Sequence, residues 1–333
     1  MSDILSVRNL TTRFNTFNGV VHAVNGVSFD LKEGETLAVV GESGSGKSVT
    51  MLSLLHLLPK TTTTVSGTAE FKDGEQTHEL LSMSEAEINR VRGRHIGIVF
   101  QDALSALNPV MTVGEQITES LTTHLGLTHK QAYSHALELL DNVGIAQPEK
   151  RFSSYPHQFS GGMRQRAMIA IAIACGPKIM IADEPTTALD VTIQTQIVEL
   201  TRRLQREMGM TVIWITHDLG VVAGIADRVM VMYAGMPIEL AQVDELYENP
   251  QHPYTEGLLG AIPKVGDSGA ERLLSIPGAP PDLFKEPRHC QFAWRCDYAF
   301  DHCWKEIPPD FSVGERHYSK CFYDMDKEKP REQ

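Results

Sequence analysis

A glycine-rich stretch constrains this chain more than any other: from Gly41 to Ser48 it reads Gly-Glu-Ser-Gly-Ser-Gly-Lys-Ser. The apolar run from Thr36 to Val40 predicts a buried strand before it, and Val49 to Leu58 predicts a helix after it, ended by Pro59. Glycines let the backbone approach an anion closely, and the N–H groups of the loop and of the helix N-terminus then point at that anion. A glycine-rich loop between a strand and a helix therefore predicts a site for nucleotide phosphates.

The polar side chains of this loop add specific chemistry. Lys47 can reach the β- and γ-phosphates, and the Ser48 hydroxyl can ligate Mg²⁺. The alternative is a chance match to a short pattern, which the flanking strand and helix disfavour. We expect the nucleotide phosphates to be bound by Gly41, Ser43, Gly44, Ser45, Gly46, Lys47, Ser48 and Val49.

Composition excludes several classes of function. The 333 residues are 42% hydrophobic and 22% charged, an ordinary composition for a globular protein that is large enough for two domains. The net charge of −12 argues against a nucleic-acid partner and against an anionic membrane surface, since both require clustered Lys and Arg. No apolar run approaches the ~18 residues of a membrane span, and no signal-type segment follows the N-terminus. Any membrane role is therefore expected to depend on protein partners.

The chain alternates predicted strands and helices. Short β-like runs with turn signals at Asn18-Gly19 and Asn25-Gly26 occupy residues 4–31, and further strands are predicted at 68–71, 96–100, 179–182, 212–215 and 229–233. Capping boxes begin helices at Ser84 and Thr128, and residues 102–175 are predicted to be largely helical. This alternation predicts a largely parallel sheet that is covered on both faces and interrupted by a helical block. Beyond about residue 239 the pattern weakens and proline becomes frequent.

Two adjacent carboxylates, Asp183 and Glu184, end the apolar strand at 179–182. A carboxylate at the carboxyl end of a strand, beside a phosphate loop, is where Mg²⁺ needs a ligand, so Asp183 fits that role. Glu184 is placed to polarise a water molecule. A solvated turn is the alternative, and the strand together with the upstream loop disfavours it.

Three further groups complete the pattern. Ser160, Gly161 and Gly162 form a small-residue turn that opens a helix, Gln101 follows the strand at 96–100, and His217 follows the strand at 212–215. Each signal is weak alone, because Ser-Gly-Gly turns are common and single histidines are more often structural. Their order along one chain gives them weight.

Together these residues resemble the ATP-binding cassette (ABC) family over residues 4 to about 235. The matching motifs are a Walker A loop (Gly41 to Ser48), a Q-loop glutamine (Gln101), a signature (Phe159 to Met163), a Walker B segment ending at Asp183-Glu184, a D-loop (Ala188 to Asp190) and a switch histidine (His217). The signature departs slightly, since Met163 stands where the family most often has glutamine. Phe14 falls where the family stacks an aromatic ring on adenine.

The resemblance implies an α/β fold of the P-loop NTPase type, with an antiparallel β subdomain. It also implies a division into an ATPase domain over residues 1–238, with its helical subdomain at about 102–175, and an accessory region over residues 239–333. Two cassettes are expected to pair head to tail around two ATP molecules, with Ser160 and Gly162 contacting the γ-phosphate of the ATP held by the other chain. Gly161 and Asp190 are also implied as nucleotide-binding residues. Glu184 is implied as general base, His217 as a γ-phosphate contact, and Ser48, Gln101 and Asp183 as Mg²⁺ ligands. A degenerate cassette that only binds ATP is the alternative, but every hydrolytic residue is present.

More specific segments resemble the ATPases of bacterial oligopeptide and dipeptide importers. They are Asp102 to Pro109, Tyr155 to Gln158, Pro250 to Thr255 and Ile276 to Gly278; Ala103 departs, replacing the usual proline. The resemblance implies a heterodimer with a sister ATPase, two membrane permeases that contact residues 102–125, an external substrate-binding protein, and a peripheral location at the cytoplasmic face of the inner membrane. The alternatives are another cargo, such as nickel, glutathione or a sugar, and an ATP switch that acts without a permease.

Four of the five cysteines, Cys290, Cys296, Cys303 and Cys321, lie in the last part of the chain. Five, six and seventeen residues separate successive members, which matches neither the usual zinc pairs nor the common ferredoxin patterns. Spacing alone therefore leaves zinc, an iron–sulfur cluster and free thiols open. The subfamily resemblance implies a [4Fe–4S] cluster on these four cysteines, whereas Cys175 is expected to be a buried core residue.

Overall fold

The computed structural model describes residues 2–262 and 276–331, and within them the chain forms fourteen β-strands. Their bounds are β1 (Asp3–Thr16), β2 (Gly19–Lys32), β3 (Thr36–Val40), β4 (Thr63–Asp73), β5 (Gln76–Glu79), β6 (Ile96–Val99), β7 (Ile179–Asp183), β8 (Thr211–Thr216), β9 (Arg228–Tyr233), β10 (Met236–Gln242), β11 (Phe311–Gly314), β12 (His317–Ser319), β13 (Tyr323–Asp324) and β14 (Lys329–Pro330). All six strands predicted after the first hairpin are present, as β3, β4, β6, β7, β8 and β9, and β6 ends at Val99, one residue before its predicted end.

Eleven α-helices lie in the same described residues, together with short 3₁₀ turns. They are α1 (Lys47–Leu54), α2 (Glu85–Val91), α3 (Ala103–Ala106), α4 (Val113–Leu125), α5 (His129–Asn142), α6 (Pro148–Phe152), α7 (Gly161–Ile173), α8 (Val191–Met208), α9 (Leu219–Val222), α10 (Val243–Glu248) and α11 (Pro253–Gly260). None of these helices combines the length and the apolarity that a bilayer crossing requires.

The chain divides into two compact units. The first comprises Met1–Lys32, Thr36–Ser82 and Thr216–Gln333, and the second comprises Glu33–Glu35 and Met83–Ile215. In the first unit, β2, β1, β4 and β5 form an antiparallel sheet in that order. A second group of its strands runs β11, β12, β10, β9, β3, in which β3 and β9 are parallel and the others pair antiparallel.

The first hairpin corrects one sequence-based prediction. Asn18-Gly19 marks the turn between β1 and β2, as predicted, but Asn25-Gly26 is not a turn and lies inside β2. The pairing register shifts there between Leu10 and Thr12, and Gly26 has a φ of +69°. The glycine therefore forms a β-bulge within a long strand, since a positive φ serves a bulge as readily as a turn.

The second unit carries the parallel strands β6, β7 and β8. Val99 pairs with Ala182, and Ala182 pairs in turn with Trp214. Strand β8 up to Ile215 is wholly buried and β7 nearly so, as expected for a parallel sheet covered on both faces. Helices α3 to α7 lie in the predicted helical block. That these helices form a separate subdomain stays a prediction.

Both predicted capping boxes are confirmed. Ser84 and Glu87 cap α2 reciprocally, and Thr128 and Gln131 cap α5 in the same way. The apolar stripe of α5, which includes Ala132 and Ala136, is buried as its spacing predicts.

The C-terminal part is more ordered than its weak sequence pattern indicates. Strand β10 crosses residue 238, where the sequence places the domain boundary, and β12 pairs with it through Glu239 and Leu240. The division at residue 238 therefore falls inside a strand, and the predicted domain limits stay a prediction.

Candidate functional site

The phosphate loop joins β3 to α1 in the first unit, and backbone crowding explains its glycines. A Cβ on Gly41 would lie 2.2 Å from the Met232 carbonyl oxygen, and one on Gly46 would lie 2.6 Å from the carbonyl oxygen of Ala23. Their φ angles are +150° and +95°, values that side-chain-bearing residues rarely adopt. Only glycine lets the loop close against these carbonyls.

Lys47 lies inside the curl of the loop and is buried. Its Nζ donates to the carbonyl oxygens of Gly41 (2.8 Å) and Glu42 (3.0 Å), which holds the cation at the centre of the loop. Helix α1 begins at this lysine with no side-chain cap, and among the described residues the buried Ser45 Oγ has no hydrogen-bond partner. A buried cation, an uncapped helix N-terminus and an orphaned hydroxyl fit an oxyanion such as a phosphate.

A second polar cluster lies in the second unit, where β7 ends at Asp183. Glu184 Oε2 accepts hydrogen bonds from Gln101 Nε2 (3.0 Å) and from Thr187 Oγ1 (2.9 Å). Because β6 and β7 are parallel neighbours, the residues that follow them, Gln101 and Glu184 among them, meet at one edge of the sheet. Thr187 was not predicted, since a threonine in a turn carries no signal of its own.

The backbone at this cluster is held in an uncommon conformation. Glu184 has a φ of +45° and Ala188 a φ of +63°, and the Glu184 N–H donates to the Ile215 carbonyl oxygen (2.9 Å). Left-handed residues other than glycine concentrate at functional sites, where the surrounding structure fixes them. The turn after β7 thus fixes the backbone from which the Glu184 side chain extends.

The predicted signature turn begins α7. Ser160 is its N-cap, with its Oγ accepting from the Met163 N–H (3.3 Å), and a Cβ on Gly162 would lie 2.9 Å from Ile193 Cγ2 on α8. Asp190 caps α8 in turn, accepting from the Ile193 N–H (3.0 Å). The structure therefore brings the signature glycines and the D-loop helix together within the second unit.

The remaining predicted site residues belong to the first unit with the phosphate loop. Phe14 is half-buried on β1, between Val21 of β2 and Thr63 of β4. His217 is exposed directly after β8 and precedes Asp218, which caps α9 through the Gly220 N–H (2.9 Å).

The four C-terminal cysteines are free thiols in the first unit. Burial, together with smaller contributions from neighbouring thiols of the set, raises the pKa of Cys290 to about 11 and the pKa values of Cys296 and Cys321 to about 12. The Tyr323 N–H donates to Cys321 Sγ (3.4 Å), and the Cys290 N–H donates to the Cys303 carbonyl (3.1 Å). The thiols are thus close enough to interact electrostatically.

The arrangement of these thiols does not by itself form a metal site. Across residues 2–262 and 276–331, no group of three or more His, Cys, Asp or Glu side chains is placed to hold a metal ion. The expected [4Fe–4S] cluster is therefore not supported by the structure: the donor type fits a cluster, but the placement of the donors does not. Cys175 is buried as predicted, with its Sγ 3.5 Å from the Ser120 carbonyl oxygen.

Comparison with known proteins identifies two families along the chain. Residues 24–187 match the family described as ABC transporter, and residues 238–303 match the oligopeptide/dipeptide transporter C-terminal region. The chain is 50% identical over 322 residues to the oligopeptide transport ATP-binding protein OppD of Bacillus subtilis, covering 96% of this chain and 88% of that protein. It is also 50% identical to the dipeptide transport ATP-binding protein DppD of the same organism, covering 97% and 95%.

Solved structures agree with the fold. The ATP-binding cassette MJ0796, in a dimeric post-hydrolysis state bound to ADP and Pi, superposes with a TM-score of 0.64 at 28% identity, covering 72% of this chain and 98% of that one. CbiO1 from Clostridium perfringens, part of an ABC transporter complex, gives a TM-score of 0.62 at 29% identity, covering 75% and 92%. The predicted α/β fold of the P-loop cassette type is confirmed.

Proposed function

The chain belongs to the ATP-binding cassette transporter family, in its oligopeptide and dipeptide branch, and we propose that its ATP hydrolysis powers the import of peptides through a bacterial membrane transporter. Its activity is that of an ATPase. The observation that carries the hydrolytic role is the Gln101–Glu184–Thr187 cluster, because it fixes a carboxylate at the end of β7 in a chain that also holds a phosphate loop.

The phosphates of ATP are assigned to the glycine-rich loop. Lys47 neutralises the β- and γ-phosphates, and the loop N–H groups donate to their oxygens. Phe14, half-buried on β1, stacks on the adenine ring.

Mg²⁺ requires oxygen donors, and this chain supplies them as Ser48, Asp183 and Gln101. Because the Gln101 Nε2 donates to Glu184, its amide oxygen is left as the group that could bind the ion. The ion, when bound, neutralises charge on the phosphates during transfer.

Glu184 serves as the general base. Water attacks the γ-phosphorus, its proton passes to the Glu184 carboxylate, and the bond from that phosphorus to the bridging oxygen of ADP breaks. Gln101 and Thr187 hold the carboxylate oriented for this transfer, and His217 donates to a γ-phosphate oxygen.

Two cassettes act as a pair in this proposal. Ser160, Gly161 and Gly162 at the start of α7, with Asp190 at the start of α8, contribute to the ATP bound by the other cassette. The dimeric relative solved with ADP and Pi supports pairing of cassettes. The partner cassette is a sister ATPase subunit.

Two permeases and an external substrate-binding protein complete the transporter, with this chain peripheral at the cytoplasmic face of the inner membrane. The permeases contact residues 102–125, where Leu104 and Val110 expose their apolar side chains. Exposed apolar residues in a predicted contact segment support a protein partner there.

The four C-terminal cysteines are proposed to hold a [4Fe–4S] cluster, for which their side chains would have to move from the arrangement described above. Support comes from the donor type and from three of the four thiols, Cys290, Cys296 and Cys303, which lie in the region that matches the transporter C-terminal family; zinc is the competing metal.

Uptake by whole cells tests the cargo. Cells without this chain should lose uptake of labelled di- and oligopeptides, and the wild-type gene should restore it, whereas Glu184→Gln should not. Uptake of nickel, glutathione and sugars should be unchanged. Loss of nickel, glutathione or sugar uptake in place of peptide uptake would reassign the cargo. Unchanged uptake of peptides and of all these other compounds would contradict the importer function.

A further inference from the structure

The C-terminal part of the chain contacts the phosphate loop at Glu42, the second residue of that loop. Arg295 Nη1 donates to Glu42 Oε2 at 2.7 Å and Nη2 donates to Oε1 at 2.9 Å, which makes the pair bidentate. The Glu42 N–H donates to the Tyr254 hydroxyl at 2.9 Å. Both the carboxylate and the backbone of this residue are therefore fixed from outside the loop.

Arg295 is itself locked in place. Its side chain is 4% exposed, its Nε donates to the Pro277 carbonyl (2.8 Å), and Nη2 also donates to the Ile276 carbonyl (3.3 Å). The guanidinium lies over the ring of Tyr233, 5.7 Å from its centroid. A bidentate pair held this rigidly is among the stronger ionic contacts in proteins, because little freedom is lost in forming it.

Charge gives this contact a consequence for nucleotide binding. The Glu42 carbonyl accepts from Lys47 Nζ at 3.0 Å, so the residue adjoins the cation that binds phosphate. An unpaired carboxylate at this position would repel the phosphates and would compete for Lys47. Paired with Arg295, it carries no net charge into the site.

We propose that Arg295, assisted by Tyr254, is a positioning residue for ATP binding: it neutralises Glu42 and fixes the entrance of the phosphate loop. The inference rests on the ATPase activity of the chain and does not depend on the cargo. It also gives the C-terminal region a direct role at the nucleotide site.

The test is the dissociation constant for ATP of the purified full-length chain and its variants. Arg295→Gln should weaken ATP binding about tenfold by exposing the Glu42 charge, and Glu42→Gln alone should change it less than about threefold. The double variant should bind nearly as well as wild type, because it carries no unpaired carboxylate. Turnover at saturating ATP should change little in the two single variants and in the double variant, so the change should appear in the KM for ATP.

Arg331→Gln is the matched control. Arg331 also pairs with a carboxylate that is largely buried, Asp324 at 3.4 Å, and its other side-chain contacts are to Cys321, Gln251 and Phe311, so its loss should leave ATP affinity unchanged. If Arg295→Gln does not fold, Tyr254→Phe removes only the hydroxyl that accepts from Glu42 and should weaken ATP binding severalfold.

Two results would overturn this inference while leaving the proposed function intact. The first is an ATP affinity equal to wild type in Arg295→Gln, or in Tyr254→Phe if the arginine variant does not fold. The second is a weakened ATP affinity in Arg295→Gln that adding Glu42→Gln does not restore. A wild-type chain that binds no ATP would instead overturn the proposed function.

Discussion

Replacing Glu184 by glutamine isolates the proposed chemistry from the fold. Glutamine keeps an acceptor oxygen for Gln101 Nε2 and Thr187 Oγ1, which lie 3.0 and 2.9 Å from the native carboxylate. Each charge-assisted bond becomes a neutral one, a loss of about 1 kcal/mol apiece that a folded cassette tolerates. The amide cannot accept a proton at neutral pH, so the general base is removed.

The expected loss of rate follows from the role of that base. General-base catalysis contributes about 10²- to 10⁴-fold, equivalent to roughly 3–5 kcal/mol of the barrier. Steady-state phosphate release by the Glu184→Gln variant should therefore fall at least about a hundredfold, while ATP binding, measured by equilibrium titration, should survive.

Glu199→Gln provides the matched control on the exposed face of α8, and its turnover should equal that of wild type. Thr187→Val, which removes one donor to Glu184, should give an intermediate loss of turnover. Near-normal turnover in Glu184→Gln would refute the assignment of the general base, and loss of ATP binding in that variant would show that the carboxylate acts mainly in binding.

Three further predictions concern stability and the cysteine region. Gly41→Ala places a Cβ 2.2 Å from a backbone oxygen and should lower the unfolding free energy, measured in urea, by several kcal/mol. Gly44→Ala has open space around its Cβ and should lower the unfolding free energy by only about 1–2 kcal/mol. Equal losses in the two variants would contradict the steric explanation. Burial lowers the pKa of His252 to about 3, so between pH 6.5 and 3 the unfolded chain binds a proton that the folded chain excludes. The unfolding free energy should therefore fall by about 1 kcal/mol per pH unit on acidification. A His252→Asn variant whose unfolding free energy depends on pH in the same way would exclude this residue as the cause. Anaerobically purified protein should be brown with about four irons per chain, an amount that Cys303→Ser should reduce, and colourless iron-free protein would reject the cluster.

Local chemistry made much of the fold predictable. The phosphate loop, the strands β7 to β9 and the capping boxes at Ser84 and Thr128 depend on residues close together in sequence. A third capping box, Thr112 with Glu115 at the start of α4, carries the same signal and was not predicted. The bulge at Gly26 was mistaken for a turn because both use a positive φ.

Long-range pairing explains what the sequence could not predict. Strands β11 and β12 are short and irregular in pattern, and they form because β10 offers an edge far back in the chain. Arg295 and Glu42 are 253 residues apart, and Thr187 touches Glu184 only because a left-handed turn brings it back. Such contacts follow from tertiary structure and leave no periodic signal.

Purification from native membranes tests the central claim most directly. The tagged chain, extracted in mild detergent and affinity-purified, should bring down two permeases and a second cassette, identified by mass. Recovery of the chain only from the cytosol, without membrane partners, would contradict the importer function and favour an ATP switch that works without a permease.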